Sequence, residues 1–311
     1  MKRYYKVAEH VFSVVMREDS RLWALMGNYR PFACEPAEAE AETPLFCLEV
    51  LPYSTPLFDA AVAGHVLTDK SDADMPRIEL YKQQGGWLFR IAVMRDSEVC
   101  CEMLASEDFS SATLAVIASH AEAASLSRFP VDNALMLLFA FRSASMGTLE
   151  MHASVILKDG RAFLFLGKSG TGKSTHSRQW LARFPDAFLL NDDNPILRLQ
   201  PSGSTFKCMC YGSPWSGKTP CYNNLSAPVG GIVLLRQAPH NKARRLSLPE
   251  AYAAVYSSSS GLRCVRAMAD GLHASVSSIV SAVSCYELEC LPDTDAAMIC
   301  YEACTADAGR E

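Results

Sequence analysis

The run Phe163–Trp180, FLFLGKSGTGKSTHSRQW, constrains this chain more than any other stretch. An apolar, strand-like segment breaks at Gly167, passes through GKSGTGKS and resumes as a helix-compatible sequence. Strand, glycine loop and helix in that order make a phosphate cradle. Glycine allows backbone conformations and close approaches that a β-carbon obstructs. The N–H groups of Gly167, Lys168, Ser169, Gly170, Thr171 and Gly172 can therefore turn toward phosphate oxygens. The helix beginning at Lys173 adds the positive end of its dipole. Lys173 supplies a mobile cation for the β- and γ-phosphates, Ser174 a hydroxyl for Mg²⁺, and Thr175 continues the first turn. The expected ligand is ATP with Mg²⁺.

A second stretch, GSPWSGKT from Gly212 to Thr219, fits the same pattern G-x-x-x-x-G-K-[ST]. It lacks the context. Pro214 has no N–H to offer, Trp215 is bulky, and Pro220 follows directly where a helix would start. The expected role is different: Ser213, Trp215, Ser216, Lys218 and Thr219 are candidates for holding an anionic or hydroxylated acceptor. The alternative is a rigid turn packed by Trp215.

Asp192 and Asp193 follow an apolar strand in DAFLLNDDNPILRL. Paired acids at a strand end suit a Mg²⁺-nucleotide site, one holding metal and the other accepting a proton from an incoming hydroxyl. An Asp-Asp-Asn-Pro turn is the competing explanation. His152 lies fifteen positions before Gly167, on the preceding strand.

With a net charge of −5, the chain has no basic excess with which to displace counterions from nucleic acid. No apolar run reaches the roughly eighteen residues of a membrane span, and MKRYYKVAEHVFSVVMRED does not read as a secretory signal. Neither nucleic acid nor membrane is expected as a partner. The 12 cysteines, without paired C-x-x-C spacing, are expected as free thiols in a reducing cytoplasm.

Residues 1–130 read as a β-rich module without a chemical constellation, carrying strands at YYKVAEHVFSVV, LFCLEVLP, RIELYKQ, WLFRIAVM and EVCCEML. CEPAEAEAETP is expected as an exposed loop, and DFSSATLAVIASHAEAASL and VDNALMLLFAFRSASMG as helices. Residues 131–311 read as an α/β catalytic domain. There LEMHASVILKDGRAFLFLG makes two strands around a Lys-Asp-Gly turn, with further strands at AFLLND, NPILRLQ, FKCMCYG, VGGIVLLRQA and CYELECLP. Helices are expected from Lys173 to about Phe184, at LPEAYAAVYSSS and at GLHASVSSIVSAV.

Taken together, His152, the hairpin, Gly167, Ser169, Gly170, Gly172, Lys173, Ser174, Asp192 and Asp193 resemble HPr kinase/phosphorylase. The likeness is good over roughly residues 148–200 and general to about 290. It implies a phosphoenolpyruvate-carboxykinase-like P-loop kinase domain, preceded here by the smaller β-rich module. It also implies transfer of the ATP γ-phosphoryl group to a hydroxyl of a protein, a peptide or a small molecule, and a homo-oligomer. By resemblance, Asp192 and Asp193 divide base and metal duties, Ser174 shares the metal, and His152 orients the γ-phosphate or its acceptor. The sequence departs from the family where Ala153 follows the histidine, where Thr175 replaces an acidic residue, and where GSPWSGKTPCYNN stands in place of an arginine-glycine signature. These departures point to a substrate other than HPr. Two further readings remain open: a carboxykinase-type enzyme and a non-catalytic ATP sensor.

Overall fold

The computed structural model describes residues 1–51, 57, 63–68, 76–117, 128–203, 205–217 and 219–306. The chain is a mixed α/β protein whose strands form two large sheets. Packing divides it into two units, Met1–Arg142 with Leu262–Val265, and Ser143–Gly261 with Arg266–Glu311.

In the first unit, β1 (Lys2–Val7) and β2 (His10–Val15) form a hairpin turned at Ala8 and Glu9, both with positive φ. Then come α1 (Leu22–Leu25), β3 (Ala33–Cys34), α2 (Pro36–Glu40) and β4 (Cys47–Val50). The short helix α2 falls within the expected acidic loop. After β5 (Gly64–Thr68), the strands β6 (Arg77–Gln83), β7 (Gly86–Ala92), β8 (Val99–Ala105) and β9 (Ser111–Val116) run as an antiparallel meander. The sheet order is β3-β1-β2-β4-β9-β8-β7-β6-β5.

β9 occupies ground where a helix was expected. The Asp108 carboxylate accepts the Ser106 and Ser110 hydroxyls and the Ser110 N–H, so the Asp-Ser pair caps a turn rather than a helix. The chain then pairs with β8 and β4; residues 118–127 lie outside the described residues. The helix α3 (Phe129–Ser143) forms as expected, and its Phe139 and Phe141 pack on Phe12, Phe89 and Phe109 of the first unit. Packing therefore places the division about one helix length beyond residue 130.

In the second unit, β10 (Thr148–Glu150), β11 (Ala153–Lys158) and β12 (Arg161–Leu166) lead into α4 (Lys173–Arg183). Next come β13 (Phe188–Asp193), β14 (Ile196–Ser202), β15 (Thr205–Tyr211) and β16 (Ser226–Gln237). The unit closes with β17 (Lys242–Arg245), α5 (Leu248–Ser258), α6 (Arg266–Ala282), β18 (Cys285–Cys290) and α7 (Thr294–Ala306). β10, β17 and α7 were not read from sequence. β16 is long enough to pair with β15 at its start and, in parallel, with β12 and β18 further on.

β12 shows why its run is apolar throughout. Phe163 and Phe165 enter one core, with Trp180 and Phe184 beside α4 and with Ala297, Cys300 and Cys304 of α7. Ala162, Leu164 and Leu166 enter the other, with Ala254 and Val255 of α5 and Val276 and Ile279 of α6. Covered on both faces, β12 buries every residue from Ala162 to Leu166, each large one worth about 1.5–3 kcal/mol. The cysteines are free thiols. Burial pushes those of Cys208 and Cys285 up to about 12, so they are inert core side chains. Among the described residues no helix is long and apolar enough to cross a membrane.

Candidate functional site

The glycine loop joins the end of β12 to the start of α4. Gly170 and Gly172 hold φ of +78° and +105°, values a side chain would strain. The Thr171 N–H donates to Lys168 O at 3.1 Å, and the His176 N–H to Gly172 O at 2.8 Å opens the helix. Gly167, Lys168, Ser169, Gly170 and Thr171 line a cavity of about 980 Å³, whose other walls come from His152, the end of β16, α5, Arg244 of β17 and Glu287 of β18. Ser174 is exposed in the first helical turn, and the Thr175 hydroxyl accepts from Arg178 at 3.1 Å.

Below the loop the helix is fixed. Trp180 is fully buried, and its Nε1–H donates to His176 Nε2 at 3.0 Å. Burial holds the His176 ring down to about 4, with Asp293 weakly opposing.

The pairing of β11 with β13 sets Ser154 opposite Asp192 and Ala153 opposite Asp193. Ser154 Oγ donates to Asp192 Oδ1 at 2.7 Å and lies 2.6 Å from Ser177 Oγ of α4. Asp192 is thus buried and fixed by hydroxyls. Asp193 is more open, with Oδ1 3.0 Å from His152 Nδ1. His152 Nε2 lies 2.9 Å from Lys173 Nζ, which also donates to Gly167 O at 2.8 Å. An ammonium only donates, so the ring proton sits on Nδ1 and points at Asp193. Burial lowers the Lys173 pKa, while the charges of Asp193 and Asp192 oppose that fall. Hydrogen bonds therefore connect Gly167, Lys173, His152 and Asp193 in one chain.

The second match is built otherwise. Ser213 is fully buried and Trp215 is 4% exposed. Asn191 Nδ2 donates to Trp215 O at 3.0 Å and to Ser213 Oγ at 3.2 Å, and Ser213 Oγ donates to Asn194 O at 2.6 Å. No helix follows. Of the residues expected to meet an acceptor, Ser213 and Trp215 serve this internal packing. Ser216 and Thr219 reach the surface, with the Ser216 hydroxyl donating to Thr219 O at 2.7 Å. Lys218 lies outside the described residues. The segment nevertheless reaches the acids: a β-carbon on Gly217 would stand 3.1 Å from Asp192 O and 3.2 Å from Asp193 Cβ.

Sequence reasoning missed Ser154, Ser177, Asn191 and Glu150. Glu150 is fully buried, and neither carboxyl oxygen has a hydrogen-bond partner among the described residues; Ser260, near enough to favour the anion, makes no such bond. Burial, reinforced by the charge of Asp193, pushes its pKa well up from the ordinary carboxylate range. Also missed were Arg236 and Arg244, which line the cavity and pair with Glu287.

No family model matches the sequence, and no curated protein matches it. Among solved structures, the Hpr(Ser) kinase/phosphatase from Coxiella burnetii is similar over 52% of this chain and 97% of its own, at 12% identity and a TM-score of 0.30.

Proposed function

We propose that the chain is an ATP-dependent phosphotransferase that moves the γ-phosphoryl group to a hydroxyl acceptor, on a phosphoenolpyruvate-carboxykinase-like P-loop domain. The observation that carries this reading is the hydrogen-bonded chain from Gly167 through Lys173 and His152 to Asp193. It joins a phosphate cradle to a carboxylate able to take a proton, which a site for binding alone would not need.

In this mechanism the loop N–H groups and Lys173 carry the phosphate charge. Asp193 accepts the proton of the acceptor hydroxyl, kept in orientation by His152 Nδ1–H. Gly217 packs its backbone directly against Asp193, and a side chain there would crowd the carboxylate. The donor set fits Mg²⁺. Among the described residues no three His, Cys, Asp or Glu side chains form a metal cage. A nucleotide-bound Mg²⁺ needs none, because a hydroxyl, one or two carboxylates, waters and the phosphates hold it. Ser174 and Asp192 would hold the ion, which would neutralise charge developing on the transferred group.

The cavity's arginines weigh against carboxykinase chemistry, since Arg236 and Arg244 are already paired with Glu287 rather than free to clamp a substrate carboxylate. Incubating the purified chain with γ-labelled ATP and cell extract tests the proposal. Label in a protein or in a small hydroxylated molecule supports it and names the acceptor class. Binding of ATP without any transfer of label would leave a sensor and sink the kinase.

A further inference from the structure

The first unit holds a cavity of about 260 Å³ far simpler in chemistry than the one beside the glycine loop. It opens where the sheet edge is incomplete: β3 pairs with β1 only at Tyr4 and Tyr5, leaving the Lys2–Arg3 stretch uncovered on that side. Lys2, Arg3 and Arg30 line it, with Tyr4, Trp23 and Cys34. Among the described residues, no acidic side chain does.

Three cations lining one cavity, with the acids confined to its outside, stand out in a chain of net charge −5. Of the acids that act on Cys34, Glu38 and Glu42 are occupied by Lys6, at 3.1 and 2.9 Å, and Glu35 is exposed outside the lining. Lys2 and Arg3 are held by ring faces instead: Lys2 Nζ lies 4.9 Å from the Tyr4 ring centre, and the Arg3 guanidinium 4.3 Å from that of Trp23. The Trp23 ring is itself fixed, its Nε1–H donating to Arg17 O at 3.0 Å. A cation resting on a ring is positioned, yet it keeps its full charge and its N–H donors. A carboxylate partner would have cancelled both.

We propose that this cavity is an anion site for the phosphoryl group of a small molecule, with Arg3, Arg30 and Lys2 as its donors. A single carboxylate would leave most of that charge unmatched. The nearly double charge and three acceptor oxygens of a phosphate monoester match it. The volume admits inorganic phosphate or a short organic monoester.

Cys34 reports on the site directly, because it lines the cavity and is only half-buried. The test measures its alkylation rate by peptide mass spectrometry, in mildly alkaline solution, on the full chain tagged at its C-terminus. The exposed Cys264 is the internal control. Inorganic phosphate and glycerol 3-phosphate are each expected to slow Cys34 severalfold and leave Cys264 unchanged. Acetate or chloride at matched ionic strength should do far less. In Arg30→Gln and Arg3→Gln the protecting concentration should rise on the order of tenfold to a hundredfold. Arg30 is exposed, so it separates binding from folding if Arg3→Gln is unstable. Protection by the monoester alone assigns an organic phosphate, and protection by both assigns the phosphoryl group. The site is overturned if Cys34 is not protected, if chloride protects it equally, or if the Arg30 variant behaves like the native chain.

Discussion

Gly167–Ser174 and Gly212–Thr219 obey one sequence pattern and do opposite things. In the first, the loop leaves a strand packed on both faces and enters a helix anchored by Trp180, so its backbone stands at the positive end of a dipole, with only the Thr171 N–H seen turned back to Lys168 O. In the second, polar side chains are spent inward: Ser213 and Asn191 tie the chain to the strand carrying the acids, and Trp215 is packed away. The pattern's lysine and hydroxyl have meaning only where flanking elements turn the backbone outward. The second segment is a strap laid against Asp192 and Asp193 through Gly217.

The sharpest way to break this contrast is Lys173→Ala. It should abolish Mg-ATP binding or weaken it severely in calorimetry, because the cation of the phosphate cradle disappears. Native affinity in that variant would remove the distinction between the two loops.

Next in size is the acid pair, which the second segment meets through Gly217 and the first reaches through His152. Asp193→Asn should retain nucleotide and lose turnover on the order of a hundredfold or more, since amide oxygen is a poor proton acceptor. Labelled-phosphate transfer measures it. Turnover at the native rate would reduce the pair to a turn.

Much of this was legible in the sequence because it depends on short-range pattern. The β11–β12 hairpin, the loop and α4 are consecutive, and each carries its own signal. What was not legible depends on pairing across the chain. Glu150, His152 and Ser154 alternate with Leu149, Met151 and Ala153, a period-two signal of one polar strand face that could have added Glu150 and Ser154 to His152. Without the β11–β13 register, nothing assigns Ser154 to Asp192 or sets the strap against the acids. The helix expected after Asp108 failed for the same reason: its capping residues serve a turn, and sheet pairing decided the rest.

Trp215→Ala sharpens the contrast from the side of stability. Truncating a buried tryptophan costs about 3–5 kcal/mol, so the melting temperature should fall whether or not an acceptor is present. Below that temperature ATP affinity should be kept. Loss of ATP binding in a still-folded variant would make the strap part of the cradle.

Acid should loosen the cradle through His176. Its folded value of about 4 lies below the ordinary 6.5, because burial disfavours the charged ring. Between those values the unfolded chain takes up a proton that the folded chain refuses. Stability therefore falls as pH drops from 6.5 toward 4, by at most about 3 kcal/mol, and is unaffected by this group above that window. Denaturant midpoints across the range should flatten in His176→Gln. An unchanged slope would mean the ring is not held neutral beneath the loop.

The smallest effect compares the last hydroxyl of each pattern. Ser174→Ala removes an exposed hydroxyl at the start of α4, where Mg²⁺ would be held, and should weaken Mg-ATP binding more than it weakens ATP binding without Mg²⁺. Thr219→Ala removes a hydroxyl from a segment with no following helix, where the residue's carbonyl, not its side chain, receives the Ser216 hydrogen bond. That bond survives the substitution. An exposed change of this kind should stay within about 0.5 kcal/mol in stability, with Mg-ATP affinity unmoved. Calorimetry with and without Mg²⁺ on the two variants decides the matter. If Thr219→Ala shows the Mg²⁺-dependent loss expected of Ser174→Ala, the strap contributes to the metal site, and the two loops serve one nucleotide.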